Sequence, residues 1–169
     1  MFEKISPDQW NGNVFAAIGD EWLLITVRDG EKVNAMTASW GGLGVIWGKP
    51  AAYIFVRPQR HTFSLLEKTD RFTLCIPGEH YRKALAYCGS RSGRDEDKLA
   101  ACGLSICELD GVPAISESHT VIVCRKLYAQ FLREDCFLDA AEIERHYPQR
   151  DYHCMYISEV TGVYRRAAE

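Results

Sequence analysis

Hydroxyl side chains, glycines, tryptophans and arginines are concentrated between Asn34 and Thr62, and this mixture is typical of a site for a phosphate-bearing planar cofactor. Thr37, Ser39 and the backbone N–H groups of the glycine-rich stretch 41–44 can donate hydrogen bonds to phosphate or ring carbonyl oxygens. These donors are neutral, so an anion held by them also needs a cationic partner. We expect that partner close by in the sequence.

Two arginines at the end of the apolar run AAYIFV supply the charge. Arg57 and Arg60 can donate charge-assisted hydrogen bonds to a phosphate, and such bonds are roughly twice as strong as neutral ones. The alternative for Arg57 is a solvated strand end. Trp40 and Trp47 offer flat apolar surface: Trp40 is the better candidate to border a ring, whereas Trp47 suits core or dimer packing.

The glycine-rich stretch has two other interpretations. Gly42 and Gly44 begin a G-x-G dinucleotide fingerprint, but Trp47 occupies the position of the third glycine, and a strand follows where that motif needs a helix. A plain structural turn remains open.

A second group of candidate ligands lies in the polar segment SGRDEDK. Ser92, Arg94 and Lys98 can bind a phosphate, or they can form a solvated helix start that Asp95 caps. His153, just before an apolar strand, is either a site residue or an ordinary hydrogen-bonded histidine.

Taken together, these motifs resemble the flavin reductase-like, FMN-binding split-barrel family in residue type, order and chain length. The matching blocks are N-x-M-T-x-S-W, W-x-x-P, V-R-P-x-R-x-T, S-G-R-D-x-D-K and the late strand HCMYISEV, and they are spread over most of the chain. The resemblance implies a mainly β fold with short helices, an FMN-binding split β-barrel. It also implies FMN as cofactor, NAD(P)H as electron donor and a homodimer.

The resemblance further implies roles for individual residues. It makes His153 the catalytic candidate, near the flavin ring or the nicotinamide. His61 and Ser158 depart from the family pattern, which has tyrosine and glycine there in many members. The expected cofactor-binding residues are Asn34, Met36, Thr37, Ala38, Ser39, Trp40, Arg57, Arg60, Thr62, Ser92, Gly93, Arg94 and Lys98.

Hydride transfer from NAD(P)H to flavin is the activity that the resemblance favours, because the cofactor then carries the electronic burden and no strong acid, base or nucleophile is required. Two alternatives stay open. One is a flavoredoxin-like FMN electron-transfer protein with a protein redox partner, and the other is a flavin-binding module without turnover.

Composition narrows the class of protein. The 169 residues fit a single domain spanning 1–169, and 20 Lys and Arg against 23 Asp and Glu give a formal net charge of −3, which argues against a nucleic-acid partner. No apolar run approaches the roughly 20 residues of a membrane span, and the N-terminus lacks the apolar core of a secretory signal. Seven cysteines form no C-x-x-C pair. We therefore expect reduced thiols, no metal site, no membrane partner and a cytoplasmic location.

Periodicity and turn residues predict the secondary structure. We expect strands over 13–19, 22–28, 33–40, 51–57, 72–76, 104–109, 120–132 and 153–165. Helices are expected over 62–68, 80–87, 95–99 and 139–146.

Overall fold

An eight-stranded antiparallel sheet dominates residues 1–167, the part of the chain that the computed structural model describes. A separate two-stranded hairpin, β7–β8, covers part of it. The strands are β1 Phe2–Ile5, β2 Leu23–Asp29, β3 Lys32–Ala38, β4 Gly41–Ile46, β5 Lys49–Val56, β6 Arg71–Ile76, β7 Ile106–Leu109, β8 Val112–Ile115, β9 Thr120–Phe131 and β10 Cys154–Arg166. The α-helices are α1 His61–Leu66, α2 Arg82–Ser90, α3 Lys98–Ala101 and α4 Ala140–His146.

The sheet curls into a barrel that does not close. Its strand order is β3-β2-β6-β9-β10-β5-β4, with β1 pairing to the far end of the long strand β10. The end strands β3 and β4 do not pair with each other, although only Ser39 and Trp40 separate them in the chain. The predicted mainly β split barrel with short helices is confirmed.

Both faces of the central strands are buried, and this explains their almost continuous apolar sequences. In β6, Leu74 and Ile76 point into the barrel interior, whereas Cys75 between them faces an outer layer built from α2, α3 and the β7–β8 hairpin. Thr73, also on the outer face, donates a 2.7 Å hydrogen bond to the backbone carbonyl of Pro113 in β8. The outer layer is therefore attached directly to the sheet.

The predicted strand over 13–19 is wrong. The side chain of Asn13 accepts hydrogen bonds from the N–H groups of Phe15 and Ala16, and a π-helical turn spans Ala16–Asp20. Because asparagine satisfies these N–H groups locally, the segment turns instead of extending. The first hairpin is consequently formed by β2 and β3.

The glycine-rich stretch 41–44 is not a turn but the first part of β4, which pairs with β5. The turn lies at Trp47 and Gly48, whose φ angles of 52° and 69° are those of a two-residue hairpin. Trp47 is therefore exposed and is not a core residue. A Cβ at Gly41 would lie 2.6 Å from the carbonyl oxygen of Tyr53, so this position needs glycine to approach the neighbouring strand.

The remaining strand and helix predictions overlap observed elements. Strands β1 and β8 had no clear pattern and were missed. Helix α1 begins at His61, one residue before the predicted start at Thr62, and Thr62 lies buried inside it. Cys124 in β9 points into the barrel interior, and β-bulges between β9 and β10 interrupt the simple alternation of side chains along the strand.

None of the helices within residues 1–167 has the length and apolar character that crossing a membrane would require.

Replacing Leu74, which is 1% exposed, by alanine should lower the free energy of unfolding by about 2 to 5 kcal/mol, because it leaves a cavity in the barrel interior. Leu138→Ala is the matched control, since Leu138 is fully exposed and its truncation should change stability by no more than about 0.5 kcal/mol. Urea unfolding measures both. Equal effects of the two substitutions would contradict this assignment of the core.

Candidate functional site

Two adjoining cavities lie along β3 near the opening of the barrel, and both are lined by Met36 and Arg60. The first, about 170 Å³ in volume, is named here the aromatic cavity, and it is lined by Met36, Thr37, Ala38, Ser39, Trp40, Phe55, Arg57, Arg60 and His153. The second, about 150 Å³, is named the cationic cavity, and it is lined by Asn34, Met36, Gln59, Arg60, His61, Thr62, Gly89, Ser90, Arg91, Ser92, Gly93 and Lys98.

The structure brings together all but one of the residues predicted from sequence. Asn34, Thr62, Ser92, Gly93 and Lys98 line the cationic cavity, and the others line the aromatic cavity or both. The exception is Arg94, which lines a larger cavity of about 710 Å³ on the other side of Gly93. Its guanidinium donates a 3.2 Å hydrogen bond to the backbone carbonyl of Gln59.

Two cations meet at one carbonyl in the cationic cavity. The Nζ of Lys98 lies 3.0 Å from the backbone oxygen of Cys88, and the Nη2 of Arg60 lies 3.4 Å from the same atom. Cys88 lies in the last turn of α2, where carbonyl groups have no partner within the helix and carry the negative end of the helix dipole. A single carbonyl thus receives two cationic donors.

Neither cation has a carboxylate partner within 4.0 Å among the described residues. Lys98 is only 4% exposed, and burial lowers the pKa of both Lys98 and Arg60 below their ordinary values. Buried charges are normally paired. The cavity therefore suits an anionic group that supplies the missing negative charge.

Local structure positions these two cations. The side chain of Asp97 accepts hydrogen bonds from the N–H groups of Leu99 and Ala100, and it thereby starts α3 at Lys98. The loop before α3 packs on β3 at Gly93, where any Cβ would overlap the Oδ1 of Asn34. Asn34 in turn donates a buried 2.8 Å hydrogen bond to the hydroxyl of Thr62 in α1. The glycine of the S-G pair in the motif is thus a requirement of close packing.

Histidine and tryptophan rings form the wall of the aromatic cavity. The ring centroids of Trp40 and His153 are 5.0 Å apart, and Trp40 also contacts His146 edge to face at 5.2 Å. The Nδ1 of His153 is 2.8 Å from the hydroxyl of Tyr147. Burial, reinforced by the nearby charge of Arg57, lowers the pKa of His153 to about 4. The imidazole is therefore neutral at neutral pH.

Arg57 lies in the aromatic cavity and not in the cationic one. Its guanidinium forms a salt bridge with Asp151, donates a 2.8 Å hydrogen bond to the carbonyl of His146, and lies over the ring of Tyr147. Gln59 donates to the same carboxylate at 2.7 Å. Arg57 therefore ties the segment after α4 to the end of β5. Of the three predicted arginines, Arg57, Arg60 and Arg94, only Arg60 lines the cationic cavity.

The hydroxyls predicted as neutral donors also differ. Thr37 donates its hydroxyl proton to the backbone carbonyl of Leu85, which attaches α2 to β3, whereas Ser39 is exposed beside Trp40. Of these two side chains, only Ser39 is left with its hydroxyl proton available to a ligand.

Sequence reasoning missed Tyr147, Asp151 and the carbonyl of Cys88. A signal for the first two was present, because the segment 146–153 contains four histidine or tyrosine rings within eight residues. A backbone carbonyl gives no signal in the sequence. In residues 1–167 no group of three or more histidine, cysteine or acidic side chains is arranged to hold a metal ion.

Comparisons with known proteins agree with this geometry. Residues 16–169 match the family model described as flavin reductase like domain. A protein of Escherichia coli K12 described as uncharacterized, YddH, is 31% identical over 118 residues, which are 67% of this chain but only 62% of YddH.

Two solved structures are similar in fold. One is an FMN-binding domain of a flavin reductases-like enzyme from Shewanella baltica, with a TM-score of 0.71, 16% identity, and coverage of 98% of this chain and 77% of that chain. The other is flavoredoxin of Desulfovibrio vulgaris, with a TM-score of 0.69, 20% identity, and coverage of 96% and 77%. Solved FMN-binding proteins of this kind are similar to the chain in fold. Because the family model matches residues 16–169, nearly the whole chain, the chain belongs to the flavin reductase-like family.

Proposed function

We propose that the protein binds FMN across the two cavities and transfers a hydride from NAD(P)H to flavin. The observation that carries the proposal is a pair of cations, the buried Lys98 and the half-buried Arg60, beside a cavity walled by aromatic rings. They share one carbonyl, and neither has a carboxylate partner within residues 1–167. The cofactor-binding residues of the proposal are Asn34, Met36, Thr37, Ala38, Ser39, Trp40, Arg57, Arg60, Thr62, Ser92, Gly93, Arg94 and Lys98.

The phosphate of FMN belongs in the cationic cavity. Lys98 and Arg60 supply charge, and the backbone and hydroxyl of Ser92 lie on the same wall. Asn34 and Thr62 hold each other and define the floor. A phosphate dianion offsets two desolvated cations far better than a carbonyl does, since bonds with charge on both partners are the strongest.

The flavin ring belongs in the aromatic cavity, between β3 and the aromatic wall. β3 pairs with β2 on one side only, so alternate backbone N–H groups point away from that partner and are available to a ring carbonyl. Trp40 and Phe55 offer apolar surface. Arg57 acts here by fixing the segment that carries Tyr147 and Asp151.

When bound, FMN supplies the hydride-accepting chemistry. The chain's own residues position the reacting rings and shield them from water. His153, neutral and hydrogen-bonded to Tyr147, presents a fixed ring edge to the cavity without placing a positive charge there. Burial raises the pKa of Tyr147, so its hydroxyl stays protonated and holds the orientation of His153. Correct placement of two rings is worth several powers of ten in rate.

A flavoredoxin-like electron carrier with a protein redox partner is the second candidate. The similarity to flavoredoxin favours it as much as the family name favours a reductase, and the residues of the two cavities serve both functions equally. A flavin-binding module without turnover is the third. The response of bound FMN to nicotinamides and to a protein electron donor distinguishes these three functions.

A homodimer and a cytoplasmic location complete the proposal. Tyr128 and Phe131 on β9 are 41% and 46% exposed, a surface that a second copy would cover. All seven cysteines are unpaired, which suits a reducing compartment.

Replacing Lys98 by methionine should weaken FMN binding by about 10- to 100-fold, because the variant loses a charge-assisted bond worth about 1.5 to 3 kcal/mol. Riboflavin, which lacks the phosphate, should bind both forms equally. Fluorescence titration measures both affinities. Lys83→Met is the matched control, since Lys83 is an exposed lysine on α2 outside the cavities. Equal loss of riboflavin binding would contradict the phosphate assignment.

The imidazole of His153 should titrate with a midpoint near pH 4, followed by NMR and identified with His153→Gln. Because the unfolded chain binds this proton near pH 6.5, folding stability should decline as the pH falls from about 6.5 towards 4. Arg57→Gln should move the midpoint upward, since it removes a neighbouring cation. A midpoint near 6.5 in the wild type would refute the buried, neutral state.

Anaerobic titration of the FMN-loaded protein with NADH, and separately with NADPH, should bleach the visible flavin absorbance. His153→Gln should slow this bleaching without abolishing FMN binding. Retained FMN that stays oxidised with both nicotinamides would exclude the reductase. Reduction of the bound FMN by a reduced ferredoxin-type protein would then identify an electron carrier. If neither the nicotinamides nor that protein reduced the FMN, the protein would be a flavin-binding module without turnover.

A further inference from the structure

His61 occupies the boundary between two cavities. It begins α1 and lines both the cationic cavity and the larger cavity of about 710 Å³ that Arg94 also lines. Its ring lies against the turn at Gly93, where an added Cβ would be 3.4 Å from the Cδ2 of His61. Its Nδ1 is 3.4 Å from the hydroxyl of Ser64.

Cations outnumber carboxylates around this ring. Arg94 and Lys98 face it from the segment leading into α3, Lys68 from beyond the end of α1, and Asp29 from the end of β2. Asp29 is already paired with Lys68 at 3.1 Å. Burial and the two cations of the α3 segment lower the pKa of His61 below its ordinary value. Without an anion nearby, the imidazole is therefore neutral near pH 7.

The other carboxylates in the wall of the larger cavity are engaged elsewhere or belong to its rim. Glu96 accepts a 2.7 Å hydrogen bond from the hydroxyl of Tyr87, and Asp97 caps α3. Glu31 and Asp95 are exposed rim residues. A single anion in the cationic cavity could therefore supply the negative charge that both His61 and Lys98 lack.

An arriving phosphate reverses this balance. A phosphomonoester carries about −1.5 to −2 charges near neutral pH, and an opposite charge within about 4 to 6 Å favours the protonated imidazole. A protonated imidazole donates from both nitrogens. One can keep its contact with Ser64 while the other donates to a phosphate oxygen.

We propose that His61 is an additional phosphate ligand that takes up a proton when a phosphomonoester enters the cationic cavity. The identity of that phosphomonoester as FMN rests on the proposed function, whereas the participation of His61 rests on its place between the two cavities. Protonation coupled to binding makes affinity depend on pH. The gain in phosphomonoester affinity begins as the pH falls through the pKa of His61 in the complex. It is complete below the pKa of His61 in the free protein.

The test measures the dissociation constants of FMN and riboflavin at several pH values between 5 and 8. It compares the wild type with His61→Gln and His61→Tyr, with His80→Gln as a control at an exposed histidine. Thermal unfolding shows whether each variant is folded. Protonation of the FMN phosphate itself, near pH 6, affects all variants alike. It cancels in the ratio of variant to wild-type dissociation constants.

That ratio for FMN should be close to one at pH 8 and should rise towards pH 5, by about tenfold for each unit by which binding raises the pKa of His61. The same ratio for riboflavin, and the ratio for His80→Gln, should stay flat. A ratio for FMN that does not change with pH in folded variants would overturn the proposal. So would an equal rise for riboflavin, because the proton would then not be coupled to the phosphate.

A second measurement separates this inference from the proposed function. If the wild type binds no FMN at any pH, the proposed function fails, and inorganic phosphate becomes the probe. The His61 signal in NMR, identified with His61→Gln, should then titrate at higher pH with phosphate than with an equal ionic strength of chloride. An unchanged titration would overturn the role of His61.

Discussion

The rest of the site depends on one constraint: Lys98 is buried beside the half-buried Arg60, and neither cation has a carboxylate partner in the part of the chain that the structure describes. Removing an ammonium or a guanidinium from water is costly unless the group is paired and hydrogen-bonded. Here the compensation within residues 1–167 is one carbonyl at the end of α2, to which both cations are directed. Such an arrangement persists only if the fold holds both cations in place by other means.

The outer layer provides that restraint. α2 is attached to β3 through the bond from Thr37 to the carbonyl of Leu85, and α3 starts at the residue after its cap, Asp97. Leu85 and Leu99 bury these two short helices against the outer face of the sheet. The loop between them cannot move away from β3 without breaking the tight contact of Gly93 with Asn34. The packing contacts of the outer layer thus keep the two cations close together in one cavity, although their charges repel each other.

Local motifs in the sequence predicted which side chains would come together, because the residues that line the cationic cavity lie in short segments rich in hydroxyl and cationic side chains. Lys98 and Ser92 are examples. The partner of Arg57 could not be read in this way, since Asp151 lies 94 residues away and an arginine before proline looks the same whether solvated or paired. The strand predicted over 13–19 failed because a single side chain, Asn13, satisfies backbone donors that a strand would have paired.

Because the barrel is open, the glycines of β4 also affect how readily its exposed edge pairs with another chain. An unclosed sheet exposes the edge of β4, and such an edge is a template on which another chain can add a strand and begin aggregation. Apolar Val45 and Trp47, 75% and 59% exposed, increase that hazard. Glycine loses the most conformational entropy on becoming ordered and has no side chain to pack, so Gly42 and Gly44 make the edge a poor template. The glycines that begin a G-x-G fingerprint in the sequence thereby lower the tendency of this exposed edge to pair with a strand of another chain.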